Sequence, residues 1–235
     1  MDEKEFILTL EKQGINLTNQ QLAQFEQYYE LLFSWNKKVN LTSITDKEEV
    51  YLKHFYDSIS PAFYFSFEGN LCDIGAGAGF PSLPLLITNP AISVTIVDSL
   101  KKRIHFLDEL VTKLELDNVN LIHARAEDVG KDSKYREKFS VVTARAVARM
   151  SVLSELCLPL CKVGGSFIAL KGANAHEEMK AAANANKILG GETVAEHTLH
   201  LPIENSERTI IQVKKTKHTP KKYPRKAGTP AKTPL

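Results

Sequence analysis

The sequence predicts an α/β protein built around a seven-stranded, mostly parallel sheet, preceded by a helical extension. After residue 70, strand-like apolar runs alternate with helical patterns, which is typical of a doubly wound sheet. A glycine-rich turn after the first run supports this, because such turns bring ligands to the edge of a parallel sheet. The last two runs flank a loop, as in an antiparallel hairpin. The seven runs cover residues 71–74, 92–97, 119–123, 139–143, 166–170, 192–199 and 209–214.

Composition favours a globular protein of ordinary character. The chain has 235 residues, of which 43% are hydrophobic and 25% are charged, enough for one α/β domain with an extension. No apolar run is long enough to cross a bilayer, and the start Met1-Asp2-Glu3 is unlike a signal peptide. Three cysteines indicate reduced thiols rather than disulfides. We therefore expect a cytoplasmic protein with no membrane partner, and a monomer.

The chain divides into three predicted parts. Residues 1–65 read as a helical extension, residues 66–215 as the α/β domain, and residues 216–235 as a basic tail. The net charge is +2, but the last 23 residues hold eight Lys or Arg and no acid. The basic charge is therefore concentrated in the tail.

The extension contains two helix starts. Thr18 and Asp46 can each cap a helix, and the second helix is expected to end before Pro61. A helical cap over one face of the sheet is the structural interpretation. A nucleic-acid contact by the polar residues of this region is the alternative.

The glycine turn is the strongest functional signal. Gly75, Gly77 and Gly79 follow a short buried strand, and glycine lets a ligand approach the backbone closely. Asp98 ends the next strand, about 20 residues further on, where a carboxylate can accept both ribose hydroxyls. Together these features indicate a cofactor that carries a nucleoside.

The residues after the turn bear on which cofactor it is. A dinucleotide fingerprint requires glycine at position 80, but the chain has Phe80, followed by Pro81, which has no amide proton. The segment resembles instead the first motif of S-adenosylmethionine-dependent methyltransferases. In that interpretation Asp73 and the turn amides face the methionyl group, and Phe80 lines its pocket. NAD is the alternative cofactor.

Two further segments are predicted to border the ligand. Ala126 and Glu127 follow the third strand, where an acid can accept the adenine amino hydrogens, although a helix N-cap by Asp128 or a neighbour is an equal alternative. Lys101–Arg103 begin a helix. These basic residues form either a solvated face of that helix or a contact to an anionic substrate.

The fourth strand ends in arginines. Arg145 lies at the strand end, where the substrate is expected, and Arg149 follows in the sequence. Arginine suits phosphate or the O6/N7 edge of guanine, and the acidic-Pro-Pro-aromatic motif of amine-methylating enzymes is absent. We interpret Arg145 as a substrate and cofactor contact and Arg149 as a surface residue.

The cysteines and histidines offer little chemistry. Cys157 and Cys161 are predicted to lie one turn apart on an apolar helix, where core packing is favoured over a role as nucleophile. The seven histidines have no metal-ligand spacing, so no metal is expected.

The tail contains four prolines and is not predicted to form a helix or a central strand. Its charge suits an extended arm along a nucleic-acid backbone. A tail that merely improves solubility is the alternative.

Further motifs are spread along almost the whole chain. They are Trp35-Asn36-Lys37, Asn40-Leu41-Thr42, His54, Asp57-Ser58, Asp73 to Pro81, Lys101-Lys102-Arg103, Phe106-Leu107, Arg125-Ala126-Glu127, Thr143 to Ala148, Leu170-Lys171-Gly172 and Tyr223 to Pro230. Together these motifs resemble the bacterial ribosomal RNA small subunit methyltransferase G family, also called glucose-inhibited division protein B. One departure is Ser82, where the family more often has glycine.

The resemblance implies a Rossmann-like class I fold and methyl transfer from S-adenosyl-L-methionine to N7 of a guanine in 16S ribosomal RNA, free or in the 30S subunit. Guanine N7 has a lone pair and no proton, so positioning replaces a general base. The implied cofactor contacts are Gly75, Phe80, Ala126, Glu127 and Arg145. The glycine turn and the end of the second strand add Gly77 and Asp98 as expected cofactor contacts, and our hypothesis is that Arg145 is also the catalytic residue.

Three alternatives remain at this stage. Phe80 and Pro81 weigh against a pyridine-nucleotide oxidoreductase. A non-enzymatic RNA-binding module explains the tail but not the glycine turn or Asp98. A methyltransferase acting on protein or small molecules is weakened by the arginines and the basic tail.

Overall fold

The computed structural model describes residues 1–235, and its centre is one seven-stranded sheet in the order β3-β2-β1-β4-β5-β7-β6. Strands β1 to β5 pair in parallel, whereas β7 pairs antiparallel with both β5 and β6. All seven predicted strands and the final hairpin are confirmed. The strands are β1 (Asn70–Ile74), β2 (Ser93–Asp98), β3 (Val119–His123), β4 (Phe139–Arg145), β5 (Cys161–Lys171), β6 (Gly191–His200) and β7 (Glu207–Lys215).

Helices cover both faces of the sheet, and none has the length and apolar character needed to cross a membrane. A π-helical turn follows α3, and a 3₁₀ turn follows α4. The helices are α1 (Glu3–Lys12), α2 (Asn19–Asn36), α3 (Lys47–Val50), the π-turn (Tyr51–Tyr56), α4 (Asp57–Ile59), the 3₁₀ turn (Ser60–Phe63), α5 (Ser82–Thr88), α6 (Lys101–Lys113), α7 (Ala126–Val129), α8 (Met150–Cys157), α9 (Ala175–Ile188) and α10 (Thr229–Lys232).

The two faces of the sheet bury separate apolar clusters. Because side chains alternate along a strand, Leu71 of β1 joins the cluster that contains the N-terminal helices with α5 and α6. Cys72 and Ile74 join the other cluster, which contains α7, α8 and α9. The N-terminal helices therefore share a core with the sheet, and this fixes their polar residues relative to the strand ends.

The two predicted N-terminal caps are confirmed. The side chain of Thr18 accepts the amide of Gln21, and that of Asp46 accepts the amide of Glu49. The helix that Asp46 starts differs from the prediction, because it widens into the π-turn and continues as a 3₁₀ turn that includes Pro61. Proline fits in the first turn of a helical segment, where its missing amide proton costs nothing.

The tail is not the extended arm that its charge and prolines predict. It folds back on the domain and ends in α10, with Pro230 in the first turn. Lys215, the fully buried last residue of β7, directly precedes the tail, and its Nζ lies 3.1 Å from Oε1 of Glu137. Further along, Arg225 pairs with Glu155 at 2.6 Å. The sequence hid this arrangement because the anchoring carboxylates lie about 70 residues or more away along the chain.

Candidate functional site

A cavity of about 450 Å³ opens where the strand order reverses between β1 and β4, beyond the carboxyl ends of the parallel strands. This switch point is where doubly wound sheets bind ligands. With the exception of Asp73, the predicted site residues line this cavity, namely Gly75, Gly77, Phe80, Asp98, Ala126, Glu127 and Arg145.

The glycine turn forms the floor of the cavity. Gly75 has a φ of +70°, and a Cβ there would lie 2.8 Å from Cγ2 of Val147, so a side chain does not fit. The amides of Ala76 and Ala78 donate to no acceptor in the chain, although both residues are buried and line the cavity. Unpaired buried amides are costly, so these two amides are suited to an anionic ligand group such as a carboxylate.

Asp98 holds the turn from the end of β2. Its Oδ1 accepts the amide of Leu100 at 2.9 Å, and its Oδ2 accepts the amide of Gly77 at 3.3 Å. Arg103 lies 3.3 Å from the same Oδ2, which gives one of the three basic residues at the start of α6 a local partner. The two contacts at Oδ2 are long, and each carboxylate oxygen has two lone pairs. Asp98 can therefore still accept hydrogen bonds from the hydroxyl groups of a ligand.

Asp73 was predicted to face the ligand, but it does not line the cavity. It is fully buried between β1 and α5, where its Oδ2 accepts the Ser82 amide at 3.1 Å and its Oδ1 has no partner. Burial raises the pKa of Asp73 to about 7, against the lowering effects of the Ser82 hydrogen bonds and the Arg145 charge. The period of two along β1 places Asp73 on the face opposite to Ile74, which does line the cavity. Asp73 therefore holds the start of α5 and does not contact a ligand in this cavity.

We expect Asp73→Asn to make the chain more resistant to unfolding at pH 8 than the wild type, with a smaller difference at pH 5.5. Between its ordinary pKa of 3.8 and its raised value of about 7, the folded wild type holds a proton that the unfolded chain has lost. The free energy of unfolding of the wild type therefore falls as the pH rises through this window. Urea unfolding should show that the advantage of the variant grows by about 1–2 kcal/mol between the two pH values. An advantage independent of pH would contradict the assignment.

Phe80 lies in an aromatic stack. His54 stacks on it with a centroid distance of 4.5 Å, and Tyr28 stacks on it at 5.4 Å. The Tyr28 hydroxyl donates to the carbonyl of Ala78 at 2.6 Å, so an N-terminal helix also supports the glycine turn. Tyr28 and His54 therefore fix the position of the Phe80 ring, which forms an apolar part of the cavity wall.

Arg145 lies at the wall between this cavity and a second one. Its Nη1 is 3.0 Å from Oδ2 of Asp57, its Nη2 is 3.4 Å from Nδ1 of His54, and its guanidinium carbon lies 5.1 Å from the centre of the Phe80 ring. Arg208 binds the other oxygen of Asp57 at 3.2 Å. Two arginines therefore fix Asp57, and Asp57 in turn fixes the guanidinium of Arg145.

The second cavity has a volume of about 480 Å³ and shares His54, Arg145 and Ala146 with the first. Three further cations, Lys53, Lys171 and Arg208, line it, with Asp57 and Glu178 as the acids. Two cavities that meet at one wall can hold a donor and an acceptor side by side.

His54 is neutral at this wall. Burial and the neighbouring Arg145 lower its pKa to about 3. Its Nε2 lies 2.8 Å from Oγ1 of Thr42, so both ring nitrogens have partners. Since Arg145 can only donate, Nδ1 accepts and Nε2 carries the proton. His54 therefore positions Arg145 and Phe80 and is not free to act as a base.

The predicted adenine contacts lie on α7. Ala126 and Glu127 are buried and line the cavity, and Oε1 of Glu127 accepts the amide of Gly228 at 2.8 Å. The residue in the N-cap position is Arg125, and its side chain makes no capping bond, so the predicted alternative of an Asp128 cap does not apply.

The cysteines belong to the core. Cys157 ends α8 whereas Cys161 begins β5, so they do not share a helix as predicted. Both are fully buried, and burial raises the pKa of Cys161 to about 12 and that of Cys157 well above its usual value. These thiols are not nucleophiles. No group of three or more His, Cys, Asp or Glu side chains in the chain could hold a metal ion.

The N-terminal region contributes residues to the site that composition and spacing do not predict. Leu41, Thr42 and His54 line the first cavity, and Lys53 and Asp57 line the second. Their placement depends on the π-turn and on tertiary packing, neither of which has a local sequence pattern. The family motifs that contain Leu41, Thr42, His54 and Asp57 were the only signal for these positions.

Comparison with known proteins identifies the family of the chain. The family model of rRNA small subunit methyltransferase G matches residues 21–210. The ribosomal RNA small subunit methyltransferase G of Oceanobacillus iheyensis is 59% identical over 237 aligned positions, and that of an Exiguobacterium species is 60% identical, with 100% of both chains covered in each case.

Solved structures with bound AdoMet or MeSAdo share the fold at low identity. The M. jannaschii TYW2 in complex with AdoMet aligns with a TM-score of 0.54 and 15% identity over 74% of this chain and 79% of its own. The P. horikoshii TYW2 in complex with MeSAdo gives 0.53 and 15%, over 68% and 61%. These structures confirm the predicted fold class.

Proposed function

The chain belongs to the ribosomal RNA small subunit methyltransferase G family, and on that premise we propose that it transfers a methyl group from S-adenosylmethionine to N7 of a guanine in 16S ribosomal RNA. The observation that carries the proposal is the pair of cavities that meet at Arg145 and His54. Family membership favours this activity over an oxidoreductase or a non-enzymatic RNA-binding module.

The residues of the first cavity fit the three parts of S-adenosylmethionine. The free amides of Ala76 and Ala78 suit its carboxylate, Asp98 suits the ribose hydroxyls, and Ala126 with Glu127 suits the adenine. When bound, the cofactor supplies an electrophilic methyl group on a sulfonium. Phe80 gives this part of the cavity an apolar and cation-tolerant wall.

The second cavity is the proposed place for the acceptor base. Its cations Lys53, Lys171 and Arg208 each pair with a carboxylate of the chain but have further N–H donors, which suit the phosphates of an RNA strand. Arg145 can donate to the O6 side of a guanine. The ion pair of Arg145 with Asp57 fixes the guanidinium before the substrate arrives, which lowers the entropy lost on binding.

The state of the nearby bases supports N7 as the acceptor atom. His54 is neutral with both nitrogens engaged, and Asp57 is held by two arginines. A reaction that must remove a proton would need one of them free. Guanine N7 attacks through a lone pair in the plane of the ring and loses no proton, so orientation and exclusion of water suffice.

The experiment is transfer of labelled methyl from S-adenosylmethionine to 30S subunits purified from a strain that lacks the corresponding gene. Borohydride and aniline cleave RNA at N7-methylguanine, so a single new cleavage in 16S RNA is expected. Parallel reactions with protein-free 16S RNA identify which form is the substrate. Cofactor binding without any transfer would overturn the proposed acceptor.

We also propose that the protein acts as a monomer in the cytoplasm. The proposed acceptor is ribosomal RNA, which bacteria keep in the cytoplasm. Sedimentation at working concentration tests this, and a dimer as the active species would contradict it.

A further inference from the structure

The C-terminal strap, residues 216–235, fastens to the body of the protein through carboxylates. The first attachment is at Glu137, whose Oε1 accepts the amide of Thr219 at 2.7 Å. The second is at Glu155 of α8, and the third is at Glu127 of α7. The third attachment reaches a residue that lines the first cavity.

The attachment at Glu155 is the strongest. The Glu155 side chain is fully buried, and its two oxygens accept bonds from the Arg225 amide at 2.8 Å, from Nε at 2.9 and 3.1 Å, and from Nη2 at 2.6 Å. No other group binds this carboxylate. A buried carboxylate needs such a partner, so Arg225 is held firmly in place. Leu156, the next residue of α8, lines the first cavity.

The attachment at Glu127 links the strap directly to the wall of the first cavity. Three residues after Arg225, the amide of Gly228 donates to Oε1 of Glu127 at 2.8 Å, and this is the only hydrogen bond to that side chain. Gly228 has a φ of +82°, which glycine adopts without strain. The bond fixes one oxygen of Glu127 and leaves Oε2 without a partner from the chain.

The strap also packs on the end of α7. A Cβ at Gly130 would lie only 3.0 Å from Cγ of Pro224, so the Pro224 ring packs closely on the Gly130 backbone. Arg136 joins them, since its Nη1 donates to the carbonyl of Gly130 at 2.8 Å and to that of Tyr223 at 2.7 Å. Helix α7 has four residues and no side-chain cap, so these contacts supply order that the helix itself lacks.

We propose that the C-terminal strap positions the Ala126–Glu127 wall of the cofactor cavity, so that affinity for S-adenosylmethionine depends on Arg225, a residue that does not line the cavity. Arg225 is thus a positioning residue, and the strap is part of the cofactor site rather than an arm for RNA. This inference rests on the proposed function, which places the cofactor adenine at that wall.

The test compares four full-length proteins with the wild type. Arg225→Lys keeps the positive charge but loses the paired Nε and Nη2 donors of the guanidinium group, and Arg225→Ala removes both the charge and the donors. The double variant Glu155→Met with Arg225→Met removes the attachment without leaving a buried charge behind. Lys226→Ala, at the adjacent exposed lysine, is the matched control. Calorimetry gives the Kd for S-adenosylmethionine of each protein, well below its melting temperature.

We expect the Kd of the double variant and of Arg225→Ala to rise about tenfold, Arg225→Lys to be intermediate, and Lys226→Ala to match the wild type. In methyl transfer, KM for the cofactor should rise, while kcat and KM for RNA stay unchanged. Amide exchange should quicken in residues 126–130 but not in α6, which a general loss of stability would not produce.

A folded double variant with wild-type affinity for the cofactor would overturn the proposal. So would a rise in KM for RNA alone, which would make the strap an RNA contact. Wild-type protein that failed to bind S-adenosylmethionine would instead overturn the proposed function, so the two failures are distinguishable.

Discussion

Replacing Arg145 with alanine is expected to lower kcat/KM for methyl transfer by about 100-fold or more, the cost of misplacing reacting groups by about an ångström. Arg145 is the charged residue common to both cavities, and it touches Asp57, His54 and the Phe80 ring. Without it, no charged side chain reaches both cavities to align the acceptor with the cofactor. Arg145→Lys should recover part of the rate, because a single ammonium cannot reproduce the planar fork.

The controls for this variant follow from its neighbours. Asp57 keeps Arg208 as a partner at 3.2 Å, so the variant is expected to fold, which thermal unfolding checks. Arg149→Ala, at an exposed arginine four residues further on that lines neither cavity, should stay within about twofold of the wild type. Full methylation by Arg145→Ala would remove Arg145 from the catalytic role.

The sheet and most of the first cavity could be predicted because their geometry is local and periodic. Gly75, Asp98, Ala126 and Arg145 each follow or end one of the first four strands. In a parallel sheet those strand ends meet at one edge, so spacing along the sequence was enough to bring the four residues together.

The rest of the site depends on contacts between distant segments. His54 enters the wall through a π-turn, whose residues look like any amphipathic helix in the sequence. The strap was mistaken for an extended arm because its six basic residues were counted as free, whereas Arg225 neutralises the buried Glu155. Asp73 was misplaced for a simpler reason: being next to the glycine turn in sequence does not decide which face of β1 a side chain occupies.

Substitution of Asp98 is expected to have the opposite effect to that of Arg145, because it should weaken cofactor binding and leave kcat at saturating cofactor nearly unchanged. Asp98→Ala is expected to raise the Kd for S-adenosylmethionine by about 100-fold or more, since it removes charge-assisted bonds to the ribose. It also releases the Gly77 amide, which Oδ2 accepts at 3.3 Å. Asp98→Asn keeps one accepting oxygen, so its Kd should rise about tenfold.

Asp128→Asn provides the matched control, because Asp128 is an exposed acid beside Glu127 that does not line the cavity. Its Kd should equal that of the wild type, and a Kd of Asp98→Ala within threefold of the wild type would contradict the ribose assignment. At saturating cofactor, Asp98→Asn should recover nearly the full kcat, whereas Arg145→Ala should not. An interaction made equally in the bound and transition states affects KM, while one made only in the transition state affects kcat. The two variants therefore separate the residue that holds the cofactor from the residue that aligns the acceptor with it.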